Sequence, residues 1–212
     1  MTSPSDQLVT LIEAADENIV QIGTFLDGLS HTDRLDASRV LDRAQQRRLF
    51  EKAAKAAPLT FTDFVPEAAA DLEEVIHHGR NTLPLLPSFK LFEKRMCRPQ
   101  GGGPRVFGFN ESPTRGLIGP GYFVMIPTAG NPAWEARGSL VVDYFQVPDG
   151  PVSAGWPAVK PNSSGLQVLV YNKTRDFMRK VSKHVTIGAA YKVEKALGHY
   201  FVLVRAPIAA ER

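Results

Sequence analysis

The chain changes character at a glycine-rich stretch, residues 98–104 (RPQGGGP). Residues before this stretch follow helical periodicity, whereas the residues after it include four dense apolar runs, GYFVMIPT, GSLVVDYFQV, LQVLVY and HYFVLV. The β-branched and aromatic residues of these runs favour strands. The break therefore predicts a helical N-terminal part followed by a β-rich C-terminal part.

This division predicts an α+β fold, in which an N-terminal helical segment packs on a C-terminal curled antiparallel β-sheet. One amphipathic helix is expected before the last strand. Three regions follow from the pattern: a helical hairpin at 1–57, a helical connector at 58–100 packed on the sheet, and an antiparallel β domain at 101–212 that forms one unit with the connector. The apolar runs are nearly continuous, so both faces of the sheet are expected to be covered.

The composition is typical of a soluble, cytoplasmic protein. Hydrophobic residues make up 43% and charged residues 22% of the 212 residues, which is enough to bury a core without disulfides. The single cysteine, Cys97, excludes an internal disulfide and fits a reducing compartment. Neither a signal peptide nor an apolar run long enough to span a bilayer is present in the sequence, so no membrane partner is expected.

A heptad-like seam runs along residues 8–29. Its apolar positions are spaced alternately by four and three residues: Leu8, Ile12, Ala15, Ile19, Ile22, Leu26 and Leu29. The seam predicts one long helix, which would pack antiparallel against a second helix that ends near residue 57. Residues 1–33 carry six acids and no Lys or Arg, whereas 34–55 carry seven basic residues, so opposite charge would set the register. Alternatively, the seam pairs with its copy in a second chain and makes the protein a homodimer.

Apolar spacing predicts three further helices, over 68–76, 85–96 and 174–184. Strands are predicted over five segments: 105–109, 122–127, 139–147, 166–171 and 199–205. A Pro-rich insertion at 148–162, which contains Trp156, is long enough to act as a lid or a packing flap.

The predicted helix at 174–184 belongs to a basic region, residues 173–195. Its candidate anion-binding residues are Arg175, Arg179, Lys180, Lys183 and His184. The simplest interpretation of this face is a solvated surface, and the alternative is a site for phosphate, carboxylate or nucleic acid. Nucleic acid is disfavoured, because aromatic residues are not interleaved with the cations as stacking platforms would be.

Six other polar residues are candidates for a ligand pocket: His77, His78, Arg80, Asn81, Asp143 and Arg205. The first four form a cluster at the predicted end of a helix, where capping of the helix is the structural alternative. The last two interrupt apolar strands, in which an ionisable side chain must be paired or neutral. Neither a metal-ligand spacing nor a dinucleotide fingerprint occurs, so no metal and no cofactor is predicted.

The strings HHGRN, GPGYF and VSKHVTIG occur in this order in the chain. They resemble a family of uncharacterised bacterial proteins over residues 58–206, which leaves the heptad seam outside the resemblance. The resemblance implies no particular activity, and therefore no residue of a site follows from it.

These observations predict a non-catalytic protein that binds a small, partly apolar ligand in a pocket of the β half. One alternative is an enzyme that uses Asp143 and a nearby histidine as a titratable pair with separated pKa values. Another is a protein that binds polyanions or nucleic acid through the basic region at 173–195. No catalytic residue is assigned from the sequence.

Overall fold

A computed structural model describes residues 2–16, 18–84 and 87–211 of the chain. Four helices come first: α1 (Pro4–Glu13), α2 (Ile19–Gly28), α3 (His31–Arg39) and α4 (Arg43–Lys52). Eight strands follow: β1 (Val75–Asn81), β2 (Leu91–Cys97), β3 (Val106–Glu111), β4 (Phe123–Pro127), β5 (Leu140–Asp143), β6 (Thr174–Lys180), β7 (Val185–Lys192) and β8 (Lys195–Arg205). Three one-turn helices lie in the connections: α5 (Arg115–Ile118), α6 (Pro132–Glu135) and α7 (Gln167–Val170).

The eight strands form a closed barrel in which each strand pairs antiparallel with its neighbour in sequence. β8 returns to pair with β1, with Arg205 opposite His77. The predicted α+β class therefore holds coarsely, but the sheet is a closed barrel and not a curled open sheet. Closure pairs every strand edge, which an open sheet cannot do.

One end of the barrel, which we call the plugged end, is filled by the segment that precedes β1. Leu59, Phe64 and Val65 of this segment pack with interior side chains of the barrel, among them Val75 and Leu203. The segment is also held by hydrogen bonds: the Arg98 guanidinium donates to the carbonyl of Pro66 at 2.9 Å. The plug supplies apolar contacts to a barrel interior that strand side chains alone do not fill.

Helices α1–α4 cover the outer face of β7 and β8. Residues of the heptad seam, such as Leu8, Ile12 and Ile22, are buried against Ile187 and Val202 of these strands. The predicted seam is therefore an intramolecular contact, and it is divided between α1 and α2 instead of forming one long helix. The break has a physical cause, because the Asn18 side chain donates to the carbonyl of Leu11 at 2.9 Å.

Basic side chains of α4 contact the acidic N-terminal region through hydrogen bonds to its main-chain carbonyls. Arg48 of α4 donates to the carbonyl of Glu13 at 2.9 Å, and Lys52 donates to the carbonyl of Ala14 at 2.9 Å. Basic side chains of α4 thus bind the carboxyl end of α1, where the helix dipole favours positive charge. The acid Glu17 lies outside the described residues.

Several predicted elements are confirmed, and others differ. β3, β4, β5 and β8 lie where strands are predicted, although β5 ends at Asp143. The predicted helices differ: residues 91–97 form β2, 174–180 form β6, and β1 begins at Val75 where the helix at 68–76 was expected. The predicted strand at 166–171 is instead the one-turn helix α7. Leu85 and Leu86 of the predicted helix at 85–96 lie outside the described residues.

The missed strands share a physical reason. β2 and β6 each bury an ionisable side chain inside the barrel, Lys94 and Asp176, which are 1% and 6% exposed. A buried charge interrupts the alternation of apolar and polar residues on which a strand prediction depends. Within the described part of the chain, every helix is too short or too polar to traverse a bilayer.

Candidate functional site

An open cleft of about 370 Å³ lies on the outer wall of the barrel, beside the Pro-rich insertion. β2 and β3 form its floor, and the insertion, which we call the flap (residues 148–162), forms one wall. We call this concavity the Trp156 cleft. Its lining residues are Glu74, Arg95, Phe109, Glu111, Arg115, Ala154, Gly155, Trp156 and Pro157.

The aromatic wall of the cleft is the indole of Trp156. Its ring meets the ring of Phe109 edge to face, with centroids 4.9 Å apart. Its Nε1 donates a hydrogen bond of 2.6 Å to a carboxylate oxygen of Glu74. The indole is therefore fixed from two sides, which leaves its orientation defined before any ligand arrives.

The flap itself is fixed to the barrel along its length. The Asn162 amide donates to the carbonyls of Tyr122 and Tyr144 at 2.7 and 2.8 Å, and the Tyr122 hydroxyl donates to the carbonyl of Pro157. Gly155 has a φ of +81°, a conformation that strains residues with a side chain. The sequence thus provides a rigid flap with a glycine next to the tryptophan.

Charged side chains of the cleft are arranged in alternating order. Arg95 lies between two carboxylates, with Nη1 3.4 Å from Glu74 and Nη2 2.8 Å from Glu93. At the other side Arg115 Nε contacts the Glu111 carboxylate at 2.7 Å. The hydrogen bond from His78, followed by that from Arg95, lowers the pKa of Glu93 below its ordinary value. The cleft therefore offers hydrogen-bond donors and acceptors side by side.

Cys97 lies beneath the flap and is fully buried. Burial raises the pKa of its thiol to about 11, so the group is protonated at neutral pH. A protonated, inaccessible thiol is a packing residue and not a nucleophile. Among the described residues, no group of His, Cys, Asp and Glu side chains could hold a metal ion.

Two of the predicted ligand-binding residues, His77 and Arg205, lie at the plugged end. His77 points into the barrel and donates to the carbonyl of Phe64 at 2.9 Å, and burial lowers its pKa to about 3. Arg205 binds both carboxylate oxygens of Glu211, at 2.7 and 2.9 Å. Both side chains have partners within the chain, which fits a structural role.

The other residues of the predicted histidine cluster diverge along β1. His78 faces outward, with Nδ1 3.4 Å from Glu93, and so adjoins the ion pairs of the Trp156 cleft without lining it. The Asn81 side chain accepts a hydrogen bond from the main chain of Leu83 at 3.0 Å. Arg80 is half-buried. The cluster therefore does not converge on one pocket.

Asp143 is buried on the outside of β5. Its carboxylate forms an ion pair of 3.2 Å with Arg175 and accepts hydrogen bonds from Phe145 and Gln146 at 3.0 Å. β5 lies four strands from β1 in the barrel, so the histidines of β1 are remote from it. None of these partners of Asp143 is a histidine.

The predicted anion-binding residues do not all share a face, because residues 174–180 form a strand, which places Arg175 and Arg179 on one face and Lys180 on the other. Arg175 binds Glu194 at 2.9 Å, and Arg179 donates to the carbonyl of Phe50 at 2.7 Å. Lys180 contacts Asp63 at 2.6 Å. His184 also has a partner within the chain, since its ring lies 3.2 Å from the Arg205 guanidinium, whereas the Lys183 side chain is exposed. Intramolecular partners thus occupy most of this predicted site.

A polar network occupies the barrel interior around Lys94, the cross-strand partner of His77. The Lys94 ammonium donates to Asn110 at 3.0 Å, to Asp176 at 3.2 Å and to the hydroxyl of Tyr144. Aromatic rings surround it, with the Phe123 centroid 4.9 Å away. Burial lowers the pKa of Lys94 and raises that of Asp176, and each charge opposes the effect on the other. All three ammonium protons have acceptors, so we describe this Lys94 network as structural.

Sequence reasoning identified the flap and Trp156 but missed Glu74, Arg95, Glu111 and Arg115. These residues come from different elements and meet only because the barrel closes and the flap folds back on β2 and β3. In the sequence they look like ordinary surface charges. Comparison of the chain with protein-family models, with curated proteins and with solved structures finds no match.

Proposed function

We propose that the protein binds a small molecule with one apolar face in the Trp156 cleft and does not transform it chemically. The observation that carries the proposal is the combination of a fixed indole with balanced charges around one open concavity. The volume of about 370 Å³ falls within the range of small-molecule sites.

The charges of the cleft favour a neutral or zwitterionic ligand. Two carboxylates, Glu74 and Glu111, face two guanidinium groups, Arg95 and Arg115, so the lining has no net formal charge. An anionic ligand would meet the carboxylates, and a cationic ligand would meet the guanidinium groups. Hydroxyl groups donate and accept hydrogen bonds at once, so a polyhydroxylated ring stacked on Trp156 suits this lining.

Binding without catalysis is favoured by what the lining contains. The two carboxylates already have partners, both Arg95 and Trp156 for Glu74, and Arg115 for Glu111. The lining has neither a histidine nor a free thiol, since Cys97 is covered by the flap. General acid–base catalysis needs a group that can exchange a proton with the reacting atoms.

The test uses the two tryptophans of the chain as matched reporters. Trp134→Phe leaves Trp156 as the fluorophore, and Trp156→Phe leaves Trp134, whose ring lies 4.5 Å from the Arg175 guanidinium on another part of the barrel. The probes are a panel of monosaccharides, disaccharides and aromatic amino acids. A saturable change in emission with Trp134→Phe, absent with Trp156→Phe, is the expected result.

Arg115→Gln removes a cleft charge without touching the flap, and it should weaken the binding of the same probe. A panel that changes neither the emission of Trp156 nor the melting temperature would overturn the proposal. Binding that survives Trp156→Ala together with Arg115→Gln would also overturn it, because the site would then lie elsewhere.

A further inference from the structure

The topology of the barrel gathers four connections at the end opposite the plug. These are the loops β1–β2, β3–β4, β5–β6 and β7–β8, which an up-and-down barrel must place at one end. We call the surface formed by residues 82–84, 87–90, 112–122, 157–173 and 192–198 the loop end. α5 and α7 belong to it and are neighbours, because the main chain of Gly121 donates to Gln167 at 3.3 Å.

Large apolar side chains are exposed at the loop end. Leu117, Leu169 and Val193 are 73%, 72% and 61% exposed. Of the exposed large apolar side chains in the described residues, only Val20, Val40 and Phe145 lie outside this surface. Scattered apolar residues on a surface are ordinary, whereas their concentration at one end marks an interaction surface.

The same surface carries positive charge without neutralisation. Five lysines lie in these loops: Lys90, Lys160, Lys173, Lys192 and Lys195. In the ion pairs between described residues, the participating lysines are two others, Lys94 and Lys180. The only acid in the loop-end segments is Glu194, whose carboxylate already binds Arg137 and Arg175. A partner complementary to this end would be both apolar and anionic.

We propose that the loop end docks on an anionic membrane surface. Exposed leucine and valine side chains would enter the boundary between headgroups and acyl chains, while the lysines contact acidic headgroups. Such docking needs no helix that crosses the bilayer, so the proposal departs from the expectation of no membrane partner, which rested on the lack of a long apolar run and of a signal peptide. A nucleic acid explains the lysines but leaves the apolar side chains against phosphates, and the exposed loop-end residues are mainly aliphatic, which do not stack on bases.

The tip of the β7–β8 hairpin supports a contact role. Val193 and Glu194 have φ values of 45° and 66°, the conformation of a two-residue turn that favours Asn-Gly. A β-branched residue in this region is strained, so turn stability does not explain the valine. Its exposed position at the tip of a hairpin suits insertion between lipids.

The experiment is flotation with vesicles of pure phosphatidylcholine and of phosphatidylcholine mixed with phosphatidylglycerol. The full-length protein should bind the mixed vesicles, bind the neutral ones far less, and dissociate as salt is raised. Lys192→Glu with Lys195→Glu should weaken binding about tenfold or more. Leu117→Ser with Leu169→Ser should weaken it at low salt as well.

Val20→Ser is the matched control, because Val20 is 79% exposed on α2 beside the β6–β7 turn at the plugged end. Val193→Asn should raise or preserve the melting temperature while weakening vesicle binding. Absence of binding to mixed vesicles would overturn the proposal, as would binding that Val20→Ser weakens equally. Binding of duplex DNA that only the lysine substitutions weaken, with vesicle binding absent, would assign the surface to polyanions and overturn it too.

Discussion

The imidazole of His77 makes the stability of the barrel depend on pH. Burial lowers its pKa to about 3, whereas an exposed histidine titrates near 6.5. Between these values the unfolded chain binds a proton that the folded chain does not, so acid favours unfolding. The stabilisation is complete above pH 6.5 and is lost as pH falls toward 3.

We expect His77 to contribute about 1.4 kcal/mol per pH unit to the loss of folding free energy between about pH 6 and pH 4. His77→Gln keeps a donor for the Phe64 carbonyl but does not titrate. Urea unfolding of both proteins across this pH range measures the difference. Equal pH dependence of the two proteins would show that the ring is protonated without cost.

Removing the ammonium group of Lys94 should strongly destabilise the folded protein. Lys94→Met leaves the carboxylate of Asp176 buried without a cation, which costs about 3–5 kcal/mol in comparable pairs. Adding Asp176→Asn removes the unpaired charge and keeps a partner for the Tyr144 hydroxyl. The double variant should therefore unfold at higher urea concentration than Lys94→Met alone. A double variant that is no more stable than Lys94→Met would contradict the ion pair between Lys94 and Asp176.

At the scale of elements, glycines in three strands face phenylalanines in the next strand. The pairs are Gly79 with Phe92, Gly108 with Phe123 and Gly188 with Phe201. A Cβ atom at Gly188 would lie 2.2 Å from the Phe201 ring. Each ring thus lies over a glycine and contacts the Lys94 ammonium, so these pairs shape the barrel interior.

Gly188→Ala should accordingly destabilise the protein by about 1–3 kcal/mol, because the Phe201 ring must leave its position. Gly116→Ala is the matched control, since a Cβ there meets nothing within 4 Å. Thermal unfolding of the two variants gives the comparison. Equal melting temperatures would mean that the ring moves without loss of packing.

The strands of the barrel differ in how easily they are predicted from the sequence. β4 and the YFVLV part of β8 are recognisable because the residues on both faces of the strand are apolar. β6 is not, because it directs Asp176 inward and Arg175 outward, and its apolar residues also fit a helical spacing. Of the Trp156 cleft, the sequence indicates the flap and its tryptophan. The positions of Arg95 and Glu111 depend on strand register, which closure of the barrel determines.

For the whole molecule, the N-terminal helices act as an outer layer of the barrel. Ile22 is fully buried among residues of α1–α4 and of β7 and β8. Ile22→Asp should therefore lower stability by about 3 kcal/mol or more through a buried, unpaired charge. The exposed neighbour Val20 provides the control substitution, Val20→Asp.

Melting temperatures measured at several protein concentrations distinguish this contact from a dimer interface. An intramolecular contact gives a melting temperature that does not change with concentration, whereas a dimer is stabilised as concentration rises. The homodimer alternative would be restored if the melting temperature of the unsubstituted protein rises with concentration and Ile22→Asp abolishes that rise.

The strand order of the barrel also bears on how such a chain can evolve. Because each strand pairs with its neighbour in sequence, a connection can lengthen or change without shifting the register of any other pair. The flap and the exposed leucines of α5 and α7 both belong to such connections. The sequence of each loop can therefore change independently of the other loops, while the barrel that holds them keeps its geometry.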